Sequence, residues 1–238
     1  MNALPGADTP ALAALDAASV RGAAGDPDAN LEASLVLQPS EVVLVHTTRP
    51  ALGTLLADLC TGVVSPDAGA VRFLGHDWSE LDDDDVNALR SLIGRVFYRA
   101  NWLDHLSVAD NVLLPQLHHT RLSRPRLLDD AIRLARRFGL PGLPDGHPNE
   151  VDPGELQRAA CVRAFLGAPQ LLLLEHPSAG SFPEILAPLV DAMRAACTRG
   201  AAVVWITPSE RVWRDPWIPI SRRLRISGRT LVGGGATS

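Results

Sequence analysis

"LVHTTRPALGTLLADLCTG" spans residues 44–62. A short apolar strand runs into a polar turn and then into a Leu- and Ala-rich helix start. That strand–turn–helix order is where a phosphate-binding loop sits in an α/β protein. The turn, however, carries a proline, an arginine and a leucine where such a loop uses glycines and a lysine. The segment therefore reads either as a phosphate loop that has lost its chemistry or as a turn that never had any.

Working outward, "EVVLV" (41–45) is a continuous β-branched run, the pattern of a strand covered on both faces. "LEASLVLQ" (31–38) alternates apolar and polar residues, as a half-buried strand does. Residues 1–30 are mostly Ala, Gly, Pro and Asp and are expected to form a mobile leader. Downstream, "AVRFLGHDW" (70–78) reads as a strand, and "DDDDVNALRSLI" (82–93) as a helix opened by acids. The stretch 94–115 reads as strand, loop and a helix starting near Ser107. "RLLDDAIRLARRFGL" (126–140) is amphipathic, with Leu127, Ala131, Leu134 and Phe138 on one face and Gly139 as its C-cap. Residues 155–167 form a helix, 170–177 a buried strand, and 201–208 another strand after an intervening helix. Residues 211–238 look like a short strand-rich tail. Strands alternating with helices predict a mostly parallel sheet with covering helices.

The chain has 238 residues, a length compatible with one large domain or two small ones. No apolar run approaches the roughly 18 residues that a membrane helix needs. All 22 basic residues counted under Lys+Arg are Arg; the chain has no lysine. Residues 1–48 hold six acids and one Arg, while the remainder balances, so no basic nucleic-acid surface is expected. Cys60, Cys161 and Cys197 lack metal-ligand spacing and read as free thiols in helices, which suits the cytoplasm.

Several pieces, in order, resemble the ATPase (nucleotide-binding) subunit of ABC transporters. "SPDAGAVRFLGHD" (65–77) is similar to the segment after the phosphate loop, and "VFYRANWLDHLSVADNVLLP" (96–115) to the Q-loop region. "GELQRAACVRAFLGAPQLLLLEHPSAG" (154–180) resembles the signature helix running into the Walker B strand. "LPQLHHTRL" (114–122) is also similar to a stretch in ATPases of Mce-type lipid transporters. The resemblance implies a P-loop NTPase-like α/β fold over 31–238, with an N-terminal antiparallel β part and a helical signature subdomain at about 99–165.

Position by position, the resemblance places His46 at the first glycine of the phosphate loop and Ala51 at the last. Thr47, Thr48, Arg49 and Pro50 lie between them. Leu52 stands at the lysine and Gly53 at the Mg²⁺-binding hydroxyl, while Thr54 keeps the next hydroxyl. Arg49 falls three positions before the lysine with a bulkier, differently shaped cation, so it reads as a solvated loop arginine rather than a replacement for the lysine. Tyr98 takes the place of the Q-loop glutamine. The signature reads Val151, Asp152, Pro153, Gly154 and Glu155, so an acid replaces its serine and a proline one of its glycines. Gln157, Arg158 and Arg163 remain in pattern. Glu175 replaces the Mg²⁺-linked aspartate, and His176 the glutamate that polarises water; both also read as satisfied strand-end polar residues. Phe182 stands at the D-loop aspartate and Pro208 at the switch histidine. The chain has no aromatic residue before Phe73 to stack on adenine.

Each charge-assisted bond to phosphate is worth roughly 1.5–3 kcal/mol, whereas micromolar binding is about 8 kcal/mol in total. Without the lysine, one backbone donor and the Mg²⁺ hydroxyl, ATP binding is expected to fall to millimolar or vanish. No cofactor is expected beyond weak ATP–Mg binding, and no metal site or catalytic residue is assigned. The expected role is a non-hydrolysing structural or regulatory partner in a membrane transport complex. It would be cytoplasmic and peripheral at the inner face of the cell membrane. Its partners would be a permease subunit, an active ABC ATPase, or both, in a homo- or heterodimer. Trp102 and Leu103 are candidate contacts, with core packing as the alternative. A divergent active ATPase and a free cytosolic regulator are the other two readings.

Overall fold

A computed structural model of the chain describes residues 10–21, 29–99, 101–179 and 183–234. Its strands are β1 (Ala13–Val20), β2 (Leu31–Leu37), β3 (Val42–His46), β4 (Ala68–Phe73), β5 (His76–Asp77), β6 (Ile93–Val96), β7 (Leu171–Glu175), β8 (Ala202–Thr207), β9 (Arg222–Ser227) and β10 (Thr230–Gly233). Its helices are α1 (Pro50–Cys60), α2 (Asp83–Arg90), α3 (Val108–His119), α4 (Arg124–Arg137), α5 (Pro153–Phe165), α6 (Leu186–Thr198) and α7 (Glu210–Arg214). The strands form one sheet in the order β5-β4-β1-β2-β10-β9-β3-β8-β7-β6. The run β9-β3-β8-β7-β6 is parallel, and β2-β1-β4-β5 is antiparallel. This is the P-loop NTPase-like arrangement expected from the sequence.

Successive side chains of a strand point to opposite faces, and here they divide between two cores. Val42, Leu44, Leu172, Leu174, Val203 and Trp205 face a core shared with α3 to α6. Val43, Val45, Leu171, Leu173, Val204 and Ile206 face a second core shared with α1. Burial on both sides explains the continuous apolar runs of β3, β7 and β8. In β2 burial alternates strictly instead.

Three expectations need correction. The leader is not mobile throughout: Ala13–Val20 form β1, hydrogen-bonded between β2 and β4. Its apolar positions (Ala13, Leu15, Ala18 and Val20) fill the core, but short alanines hide that pattern from a propensity argument. A bulge after Leu15 puts Ala17 at φ 48°, and Gly69 of β4 is crossed so closely that a Cβ there would lie 2.4 Å from the Ala17 carbonyl oxygen. Residues 1–9 and 22–28, also assigned to the leader, lie outside the described residues. The strand expected over 70–78 is a hairpin, because Leu74 and Gly75 both turn at positive φ and β5 pairs back on β4. The tail holds the short helix α7, capped by the Ser209 hydroxyl accepting from the Val212 N–H, as well as two strands.

The cysteines sit where the sequence placed them, in α1, α5 and α6. Burial pushes the Cys60 and Cys161 thiols up to about 12, and it raises half-buried Cys197 as well. A thiolate-selective alkylating reagent at neutral pH is expected to modify Cys197 alone in the native protein and all three after unfolding. Mass spectrometry of the labelled chain reads the result; native labelling of Cys60 or Cys161 would contradict this packing.

Candidate functional site

The parallel strands β3, β7 and β8 deliver their C-terminal ends to one rim of the sheet, where ligands of open α/β folds bind. At that rim the turn after β3 enters α1 with Pro50 in its first turn, where a missing N–H costs nothing. Four of the turn's backbone donors are bonded within the chain. Thr47 N–H donates to the Thr207 carbonyl (3.2 Å) and Arg49 N–H to the Thr47 hydroxyl (3.1 Å). Leu52 and Gly53 N–H both donate to the Arg49 carbonyl, at 3.1 and 3.5 Å. A phosphate nest needs such donors converging and free.

The side chains of the turn point elsewhere too. Leu52 is fully buried in the core beside α1. His46 is buried with its ring 5.7 Å from Trp213 and its Nε2 3.3 Å from Glu210. Ala51 packs on the core from the edge of α1. Gly53 lies so close to β8 that a Cβ would stand 2.8 Å from Ile206 Cγ2. Gly53→Ser, which would restore a hydroxyl at the Mg²⁺ position, is therefore expected to cost about 1–3 kcal/mol by overpacking. Denaturant unfolding measures it, and an unchanged midpoint would refute the crowding.

Glu175, at the end of β7, is 2% exposed and fully engaged. The Thr54 hydroxyl donates to its Oε2 (2.6 Å), and Arg95 Nε donates to its Oε1 (2.8 Å). Arg95 Nη1 also donates to Asp58 Oδ1 (2.6 Å), and the guanidinium stacks 4.5 Å over the Phe97 ring. One internal cation thus joins two carboxylates, from α1 and β7. Buried carboxylates require such a partner, and the planar fork of arginine supplies several bonds at once. Sequence reasoning missed Arg95 and Asp58. The available signal was an arginine inside the apolar strand "IGRVF" (93–97). A charge there needs a buried counter-ion.

His176 follows Glu175 at φ 49°, with its N–H donating to the Ile206 carbonyl (2.8 Å). Its ring stacks on Tyr98 at 6.2 Å and 11°. Burial lowers its pKa, so the imidazole is neutral at neutral pH. Thr47, Pro50, Gly53 and Pro208 meet Tyr98, Glu175 and His176 around a cleft whose free space is about 10 Å³. That is room for about one water molecule. Four of the turn's backbone donors are bonded within the chain and both Glu175 oxygens are engaged.

Asp152, Pro153, Gly154 and Glu155 do not line the cleft. They start α5, where the Asp152 carboxylate accepts from the Gly154 and Glu155 N–H groups at 2.8 and 3.3 Å. The chain's own anion thus occupies the positive end of the helix. Gln157 Nε2 donates to the Pro177 carbonyl (3.0 Å), tying α5 to the segment after β7. Packing accounts for Trp102, which lies against the core with Arg163 4.5 Å over its ring. Leu103 and Tyr98 are 42% and 43% exposed. Phe182 lies outside the described residues.

The sheet order, the strand–turn–helix after β3 and the helical insertion before β7 define an ATP-binding-cassette architecture. The model of the family described as "ABC transporter" matches residues 33–179, and the chain belongs to that family, among its nucleotide-binding ATPase domains. It is 27% identical over 194 residues to the octopine permease ATP-binding protein P of Agrobacterium tumefaciens, covering 76% of this chain and 73% of that protein. It is 33% identical over 147 residues to the macrolide export ATP-binding/permease protein MacB of Rhodopirellula baltica, covering 61% of this chain. The chain spans 22% of the length of that protein and 51% of the glutamine transport ATP-binding protein GlnQ of Geobacillus stearothermophilus. Among solved structures it is similar in fold to a dimeric ATP-binding cassette in a post-hydrolysis state bound to ADP and Pi. The TM-score is 0.79 at 20% identity, covering 92% of this chain and 96% of the other. Among the described residues no helix is long and apolar enough to cross a membrane.

Proposed function

We propose that this ABC-family chain is a non-hydrolysing subunit, used for its shape as a structural or regulatory partner in a membrane transport complex. The observation that carries the reading is the Arg95 guanidinium held on Glu175 and Asp58 beside a cleft of about 10 Å³. A carboxylate already neutralised by its own chain is not free for a metal, and Leu52 and Pro50 offer no substitute grip on phosphate. In this reading the protein uses no nucleotide or metal cofactor. It meets a permease subunit, an active ABC ATPase, or both at the inner face of the cell membrane, as one half of a homo- or heterodimer. The exposed Tyr98 and Leu103 support the surface around 98–106 as the contact.

Calorimetric titration with Mg-ATP tests the proposal. The expected result is no saturable heat in the micromolar range, with any affinity at about millimolar or weaker. Micromolar binding would overturn it. The relatives above carry "ATP-binding" in their names, which favours the second reading, a divergent active ATPase. Hydrolysis abolished by Glu175→Gln would establish that reading instead.

A further inference from the structure

At the pole of the sheet opposite the rim, the residues just before β7 and β8 meet the start of β1, the turn after β2 and the β4–β5 hairpin around a large cavity. These strands stand far apart in the sheet order, so the sheet must curl to bring them together. It does so around the core that Phe73 of β4, Leu171 of β7 and the leucines of α1 share. The free space is about 710 Å³, within the roughly 300–1,000 Å³ of small-molecule sites.

Every described lining residue other than Gln170 and Arg199 is Ala, Gly, Leu or Pro. Leu12, Pro169 and Ala201 are buried. Leu74 and Ala168 hold positive φ, at 51° and 54°. Residues with side chains keep that conformation only where the surrounding fold holds them in it, so these two edges are fixed in advance of any ligand. Gln170, whose backbone is tied to Leu92 and Ala202, adds a side-chain amide to the lining.

Among the described lining residues Arg199 alone is charged. It ends α6, where its Nη1 donates to the Ala195 carbonyl at 2.9 Å. That bond orients the guanidinium and leaves its charge without a carboxylate partner among the described residues. An apolar wall with one oriented cation complements a molecule with an apolar body and one anionic end. The planar guanidinium matches a carboxylate through two parallel bonds, and each methylene removed from water adds hydrophobic binding.

We propose that this cavity is a binding site for a straight-chain monocarboxylate of medium length, with its carboxylate on Arg199 and its chain along Leu12, Leu74 and Pro169. The site lies at the N-terminal ends of the parallel strands. It is independent of the strand–turn–helix rim and of whether that rim takes ATP.

Calorimetry on the full chain tests it with three probes: octanoate, 1-octanol and acetate. Octanoate is expected to bind saturably with a Kd of about 100 μM or tighter. Binding of 1-octanol, which lacks the charge, is expected to be at least about tenfold weaker, and acetate, which lacks the chain, is expected not to bind saturably. Arg199→Gln is expected to weaken octanoate about tenfold and to leave 1-octanol unchanged. Arg199 also caps α6, so Gln170→Glu serves as a second variant that keeps the cap. Its new carboxylate either repels the ligand or pairs with Arg199, and the same weakening is expected with an unchanged circular dichroism spectrum. The proposal is overturned if octanoate does not bind saturably, if 1-octanol or acetate binds as tightly, or if octanoate binds the Gln170→Glu protein at full strength.

Discussion

Arg95→Met is expected to lower the unfolding free energy by about 3–5 kcal/mol, the cost of removing one partner from a buried ion pair. Glu175 is 2% exposed, and among the described residues its two oxygens are bonded to Arg95 and Thr54. Without the guanidinium, Glu175 keeps a single hydroxyl donor and Asp58 loses its 2.6 Å partner. Methionine supplies volume but no charge, so the stranded carboxylates must take up protons or draw in water. Combining Arg95→Met with Glu175→Gln is expected to recover a large part of the loss, because a neutral amide needs no cation. The double-mutant cycle should give a coupling of at least about 1 kcal/mol. Denaturant unfolding of the four proteins measures it, and additive effects would show that the pair is not coupled. Mg-ATP binding is not expected to appear in Arg95→Met, because Leu52 remains in the core and Pro50 still lacks an N–H.

Gly94→Ala is expected to cost about 3 kcal/mol or more, at the upper end of overpacking effects. A Cβ at residue 94 would lie 1.9 Å from the Ala164 carbonyl oxygen, 2.9 Å from its carbon and 3.0 Å from Leu172 Cδ2. The first two are backbone atoms of α5, so no rotamer change relieves the contact. The helix has to move off β6. Gly75→Ala is the control. It adds a methyl with nothing within 4 Å, and its only strain is the positive φ of 82°. A cost of about 1 kcal/mol is expected there. If the two variants unfold at the same denaturant concentration, the close approach of α5 to β6 is wrong.

The sheet's interior was legible because its chemistry is local. β3, β7 and β8 carry unbroken apolar runs, and a strand buried on both faces has no alternative to such a run. The start of α3 at Ser107 follows from a side chain that caps its own helix, whereas α5 begins at Pro153, two residues before the expected start, because the Asp152 side chain caps it. β1 was not legible. Its alanines and Asp16 have weak strand preference, and only β2 and β4 on either side hold it extended. The hairpin at Leu74–Gly75 was hidden because β5 has two residues, too few to show a period.

For the candidate site, the sequence by itself determined which groups are present: no lysine anywhere, Leu52, Gly53 and Pro50 in the turn, and Glu175 with His176 at the strand end. Those identities are fixed by covalent structure and need no fold. Only the tertiary structure decided what the remaining polar groups do. Arg95 lies 80 residues from Glu175 and 37 from Asp58 along the chain. Their partnership exists because parallel pairing sets β6 beside β7 while α1 packs across them. An ion pair between distant residues leaves no periodic trace in sequence. It forms where folding excludes water and each charge has only the other to turn to.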